Sequence, residues 1–336
     1  MPGILENAAT LYLAGLWDDG TNAYGTLVST NSVGIANPSS FDAFGNVGGH
    51  FGTTRDTFGI TAVSGGVTLT GYVDPPEGGV VNMTSGTPKF SGVVTAPQTV
   101  TIWLMNGAAK VLQVDQVFSY PFPLNPNILQ VAVTLTNLTA GVLSAVKARK
   151  ITTYTQVDST TGQPNTVATV PAAGFSIGGG IVCSDVCAFS FGPSPSIQPA
   201  DPTVPFHSNG GGNYNIPGTY AAAWDLAVPN LAPGGTNSFS VYFSIYKTGQ
   251  LLADTIADLV ALGLVNYFTG TNASTSKNSA LTSTVGVGGL TGAVAFPSGS
   301  GGQTPGATII SAGGGWLIPW TRVRDRDWIE RKDIPW

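Results

Sequence analysis

Few side chains in this sequence could carry chemistry, and most are too scattered to act together. His50, in Gly48-Gly-His-Phe-Gly52, and His207, in a Pro/Gly-rich stretch, are the two histidines available as the base of a Ser-His-Asp relay. Neither comes with a Gly-x-Ser-x-Gly elbow at a strand-to-helix turn, so both read as loop or hydrogen-bonded histidines. Glycoside hydrolysis needs two carboxyl groups held apart across the scissile bond. Only three of the eighteen acidic residues are glutamates (Glu6, Glu77 and Glu330), none at a recognisable strand end, and the adjacent Asp18 and Asp19 read as a solvated turn. Asp18, Asp19 and Asp56 could serve a calcium site, yet no calcium-binding ligand loop is visible. Cys183 and Cys187 are four residues apart, which in a straight strand is about 13 Å, beyond disulfide reach. Only a turn at residues 184–186 would bring them together, so two buried free thiols are expected. Two cysteines and two histidines do not make a metal site. The sequence therefore assigns no catalytic residue, no cofactor and no metal.

The chemistry that is concentrated lies at the C-terminal end. Residues 316–336 hold four of the seven tryptophans, Trp316, Trp320, Trp328 and Trp336, and all nine of the charges that follow Trp320. Five of those are basic (Arg322, Arg324, Arg326, Arg331 and Lys332) and four are acidic (Asp325, Asp327, Glu330 and Asp333). Solvation explains the charges but not the tryptophans, and Trp with Arg is the pairing enriched at interface hot spots. The expectation is a docking arm that grips a partner subunit through Trp316, Trp320, Arg322, Arg324, Arg326, Trp328, Arg331 and Trp336, with folding back on its own body as the alternative. Its charges nearly cancel, unlike those of a nucleic-acid tail, and they interrupt the apolar residues that a membrane anchor would need.

The chain ahead of this arm is pale. Charged residues make up 9% of the 336, against roughly 25% in an ordinary soluble domain, so hydroxyls and amides must keep it soluble. A net charge of −5 argues against nucleic-acid binding, which needs basic surface to neutralise phosphates. No apolar run approaches the roughly 20 residues of a membrane-spanning helix. Residues 1–17 lack the basic start of a secretion signal, and the chain begins at Met1, so no removed leader is expected. A composition typical of extracellular β proteins, without an export signal, is the pattern expected of a virion protein. It would be made in the cytosol and work outside the cell.

The elements that must position these groups read as strands. Glycine-punctuated alternation over residues 51–63 and 66–73 predicts half-buried strands, followed by a turn at 74–79. Residues 93–105 and 109–118 predict a hairpin joined at Asn106-Gly107, a pairing suited to a type I′ turn. Three prolines within residues 121–126 suggest a boundary. Beyond it, 128–136 is the clearest strand, ended by a turn at 137–141. Residues 142–157 are expected to return antiparallel to it, with Lys147, Arg149 and Tyr154 near wetter edges. Short strands are predicted at 175–183 and 188–191, and a strong one at 238–246. The insert at 193–218 is too long for an ordinary connection and so reads as a functional surface. One helix is predicted between Thr248 as N-cap and Gly263 as stop, with Leu252, Ile256, Leu259 and Val260 at helical spacing. Residues 266–315 read as low-complexity extended chain lying over the body or a neighbour. The Asn-x-Ser/Thr triplets at Asn82, Asn137 and Asn272 are treated as chance.

Three pieces, residues 129–139, 146–150 and 231–243 with the helix after them, resemble a bacterial surface-associated β domain. In that group the corresponding pieces lie on a β-sandwich, with an apolar-Ala-Pro-Gly turn ahead of a late strand. The resemblance spans residues 128–268 and implies the fold without an activity. In composition the whole chain is similar to tailed-phage virion accessory proteins of the decoration or tail type. The expected fold class is all-β: one or two antiparallel β-sandwiches, one α-helix near 250–262 and an extended C-terminal arm. Four segments are expected: an N-terminal β region (1–120), a β-sandwich region with the helix (121–270), a Gly/Ser/Thr-rich extended segment (271–315) and the Trp/Arg-rich docking arm (316–336). The expected role is a structural virion component, not an enzyme, that partners other copies of itself and other virion proteins, without nucleic acid or membrane. A bacterial cell-surface or filament-forming β protein is the alternative, and a carbohydrate-active enzyme the third reading.

Overall fold

Alternation of apolar with Thr, Ser or Gln residues dominates the chain, and a pleated strand turns such alternation into one apolar and one polar face. The computed structural model describes residues 3–7, 11–18, 23–27, 35–36, 56–74, 79–86, 93–95, 97–121, 128–153, 166–169, 174–178, 180–188, 198–206, 214–218, 220–247, 252–272 and 281–291. They form three sheets and one helix. A nine-stranded sheet runs β17 (Tyr214–Gly218), β14 (Thr166–Thr169), β20 (Leu264–Asn272), β21 (Leu281–Gly288), β19 (Thr236–Lys247), β12 (Ile128–Asn137), β11 (Ala109–Ser119), β10 (Gln98–Asn106), β8 (Met83–Ser85). A seven-stranded sheet runs β15 (Gly174–Gly178), β16 (Ile181–Ala188), β18 (Tyr220–Ala227), β13 (Leu143–Thr153), β5 (Asp56–Ser64), β6 (Val67–Asp74), β7 (Gly79–Val81). The five-stranded sheet joins β3 (Ala23–Leu27), β2 (Leu11–Asp18), β1 (Gly3–Asn7) and β9 (Val93–Thr95), with β4 (Ile35–Ala36) on β2. Neighbours are antiparallel throughout the two large sheets, whereas β1 and β9 run parallel.

The large sheets close on one core as a sandwich. One contributes Ile102, Leu104, Val114, Val131, Val133, Phe239, Val241, Val285 and Val287; the other contributes Phe58, Ile60, Val73, Ala148, Trp224 and Leu226. Each large apolar side chain buried this way contributes about 1.5–3 kcal/mol before chain entropy is subtracted. Trp224 ties the layers together: its indole N–H donates to Asn266 Oδ1 at 2.7 Å, and its ring meets Phe268 edge-on at 5.3 Å. On one side of the sandwich the chain passes from β7 to β8 through Asn82, whose φ of 48° makes the corner. That crossing gives each sheet an edge strand of only three residues, which leaves little template for pairing with other chains.

Local predictions meet the structure in different ways. The 106–109 hairpin forms, but Asn106 pairs with Ala109, so the central residues are Gly107 and Ala108. Only Gly107 has positive φ, 58°, the pattern of a type II′ turn. The type I′ geometry belongs instead to Gly65 and Gly66, at φ 55° and 82°, between β5 and β6. The helix α1 (Leu252–Ala261) lies where its periodicity puts it, with Gly263 at φ 97° beyond its end. Ile256 and Leu259 pack on Ile128, Tyr242 and Leu264, while Val260 is exposed. The proline connection joins β11 to β12, which pair directly, and both large sheets take strands from either side of it.

Two expectations need correction. First, β13 does not return beside β12; it crosses to the opposite sheet, between β5 and β18. The cause is the turn after Asn137, whose amide N–H groups reach the carbonyls of Gly141, Leu231 and Ala232 while its Oδ1 accepts from Thr139. This buried amide bends the chain across the sandwich end instead of closing a hairpin, and it leaves Asn137 unavailable for glycan attachment. Second, residues 266–272 and 281–288 do not lie over the body, and residues 292–315 of the same expected segment lie outside the described residues. Strands β20 and β21 are inside the nine-stranded sheet, with Val285 and Val287 fully buried. Glycine at 286 is required there, since a Cβ would sit 2.4 Å from Leu264 Cδ1 and 2.7 Å from the Asn266 carbonyl.

Candidate functional site

The eight arm residues expected to bind a partner, Trp316, Trp320, Arg322, Arg324, Arg326, Trp328, Arg331 and Trp336, lie outside the described residues, as do His50, His207, Asp19, Glu77 and Tyr154. Glu6 lies in β1, and Asp18 ends β2. Strand β16 runs through both cysteines and pairs with β18 at Cys183 and at Cys187. Its extended backbone puts their Cα atoms about 13 Å apart, with no turn between them to permit a disulfide.

Charge chemistry among the described residues gathers on the seven-stranded sheet. Every fully buried charged side chain described there or elsewhere (Asp56, Asp74, Arg149, Lys150 and Asp225) belongs to it. Period-two alternation divides them between its two faces. On the outward face Arg149 of β13 lies opposite Asp225 of β18. Its Nε donates to Asp225 Oδ1 at 2.5 Å and its Nη2 to Oδ2 at 2.7 Å, the two-pronged fit of guanidinium to carboxylate. Nη1 donates to the carbonyls of Pro199 at 2.9 Å and Asp201 at 3.0 Å, and Nη2 also reaches that of Val204 at 3.1 Å. All five guanidinium N–H groups are thereby used. Lys147 adds a third charge, 3.5 Å from Asp225 Oδ2.

The three carbonyls belong to a strap, residues 198–206, that lies across this face. Glycine at 59 makes room for it: a Cβ there would stand 2.2 Å from the Ala200 carbonyl oxygen. Asp201 shapes the strap by accepting from the Thr203 amide and hydroxyl, both at 2.7 Å. Phe206 packs on Ile151, Ala221 and Ala223, and its ring lies 5.4 Å from the guanidinium carbon. Arg149 is thus wholly buried, not at a wet edge as the sequence suggested, because residues 198–206 of the long insert lie over it. Part of that insert is therefore structural cover. With every donor of Arg149 occupied and both oxygens of Asp225 engaged, the pair acts as a staple that holds the strap to the sheet.

On the inward face, Lys150 Nζ lies 2.5 Å from Asp56 Oδ1, with side chains 6% and 3% exposed. Asp56 is engaged by Lys150 here, and no group of three or more metal-ligating side chains occurs among the described residues. The polar residues that the nine-stranded sheet buries are neutral, and the charges of Asp115 and Lys110 stay on its outer face. Gln130 donates to Ser240, and Thr101 and Gln113 both donate to Asp115 on its half-exposed outer face. Lys110 covers the Trp103 ring at 3.2 Å from its centroid, and that indole donates to Gln113. Under α1, Tyr242 donates its hydroxyl to the Leu262 carbonyl. Burial, opposed by a bond with Ser240, raises the Tyr242 phenol above its ordinary range, and burial alone raises that of Tyr267.

Neither the protein-family models nor the curated proteins contain a match to this chain.

Proposed function

We propose that this chain is a structural component of a virion, a capsid-decoration or tail/neck accessory protein whose β-sandwich assembles with other copies and other virion proteins through its C-terminal arm. One contrast supports the reading. The buried charges of the body are consumed within the fold, Arg149 by Asp225 and Lys150 by Asp56, whereas residues 316–336 concentrate four of seven tryptophans and five of thirteen basic residues. A body with so few charges for its length, rich in hydroxyls, amides and small side chains, offers few adhesive groups. The arm supplies aromatic anchors and paired charges, the ingredients of an interface hot spot.

Deleting residues 321–336 should leave a folded body, with its β circular-dichroism signal intact, that runs as a monomer in light scattering while the full chain forms a defined oligomer. Full assembly by the truncated chain would sink the proposal. So would a full-length chain that stays monomeric at high concentration both alone and with the structural proteins of its particle.

A further inference from the structure

The ion pair on the inward face of the seven-stranded sheet has features that a solvent-exposed pair lacks. Lys150 lies opposite Phe58 on one side and Trp224 on the other, and both are core residues. Asp56 lies opposite Thr152, one step further along the same face. Lys150 and Asp56 are therefore diagonal neighbours on adjacent strands of a sheet, which fixes their separation. Their contacting atoms are 2.5 Å apart with almost no access to water. Thr152 is itself fully buried, and its hydroxyl has no hydrogen-bond partner. A buried ion pair carries a desolvation penalty of several kcal/mol per ion, and here apolar walls surround it. Conversion to a neutral group would remove that penalty.

We propose that Lys150 and Asp56 are a modification site at which the two side chains condense to an intramolecular amide. The Lys150 nitrogen attacks Asp56 Cγ, an N–C bond forms, and one Cγ–O bond breaks. The ammonium gives up two protons, which leave with the departing oxygen as water, and one N–H stays on the amide. The ion pair and the products carry the same net charge of zero, so no external oxidant, reductant or acyl donor is needed. Holding the amine against the carboxyl, with Nζ 2.5 Å from Oδ1, supplies the proximity that makes an intramolecular condensation fast relative to its solution counterpart. The product joins the first residue of β5 to the C-terminal part of β13, closing the chain covalently over residues 56–150.

The test is the mass of the full-length chain, denatured after purification in its folded state. The expected mass is one water below that of the sequence. Trypsin should then leave Lys150 uncut, and residues 56–89 should appear joined to residues 150–247. Lys150→Ala and Asp56→Ala should each show their full sequence mass, a reading that does not depend on whether they fold. Asp56→Asn should lose one ammonia in place of one water if it folds, because the same attack then expels the amide nitrogen. A wild-type chain at full sequence mass after prolonged incubation would overturn the proposal, as would a water loss confined to a single tryptic peptide.

Discussion

The two large sheets share a core yet treat polarity in opposite ways. The seven-stranded sheet buries Asp56, Asp74, Arg149, Lys150 and Asp225, whereas the polar residues buried in strands of the nine-stranded sheet are the neutral Gln116, Asn137, Asn237, Ser244, Asn266, Thr269 and Thr284. Cover explains the difference. The strap at 198–206 lies on the first sheet and brings three backbone carbonyls that need donors, and a guanidinium satisfies all three at once while its partner carboxylate neutralises it. The second sheet is covered by α1 over Ile128 and Tyr242, and a helix satisfies its own interior backbone, so a neutral hydroxyl suffices at its end. On the outer faces, ions hold down irregular chain and neutral groups serve where a regular element packs, whereas Lys150 and Asp56 pair within the core-facing side. In a chain with so few charges, this places nearly every buried one on a single sheet.

The contrast can be broken most severely at Arg149. Arg149→Met strands Asp225 and three carbonyls in a dry site and should cost about 3–5 kcal/mol, read from the urea midpoint. Adding Asp225→Leu should recover much of that loss by removing the stranded charge. A double variant no more stable than Arg149→Met alone would show that the strap, not the charge, dominates. Gly59→Ala comes next. Its methyl group would meet the Ala200 carbonyl, so the strap must lift, at about 1–3 kcal/mol. Hydrogen exchange should report faster opening of residues 198–206 with β12 and β19 unaffected; equal protection in both proteins would contradict the fit.

Tyr242→Phe tests the neutral sheet. It removes one bond to the Leu262 carbonyl and should cost only about 1 kcal/mol; a loss as large as that at Arg149 would erase the distinction between the sheets. The smallest effect is a pH dependence. Burial raises the Tyr242 and Tyr267 phenols in the folded state, so folding binds their protons more tightly. That stability is fully present below the unfolded value of about 10. It fades as pH rises through the folded values. The urea midpoint should therefore fall above pH about 10, and less so in Tyr242→Phe. An identical fall in the two proteins would remove Tyr242 from the effect.

Much of the fold was legible because its signals are local. Alternation at 128–137 marks β12, and glycine pairs mark the hairpin ends. Helical spacing of Ile256 and Leu259 before Gly263 marks α1, and an all-β sandwich with one helix follows from these alone. Sheet membership was not legible. Strands β12 and β13 are consecutive and alternate alike, and only the Asn137 contacts with residues 231 and 232, more than ninety positions away, send them to opposite sheets. The low-complexity stretch around Val285 misled for a related reason. Glycine there reads as loose chain until the close approach of Leu264 and Asn266 makes it obligatory.

The staple shows the same division. Arg149 is ordinary in sequence, a basic residue on an alternating strand, and nothing nearby announces a partner 76 positions on. By composition and periodicity alone, the sequence determined a charge-poor β protein, its strands and helix, and an arm whose aromatic and ionic content differs from everything before it. Tertiary structure alone decided which of its few ions are buried and what each one holds. Propensity and periodicity act over neighbouring residues, whereas a buried charge is tolerable only when distant chain segments bring its partners to it.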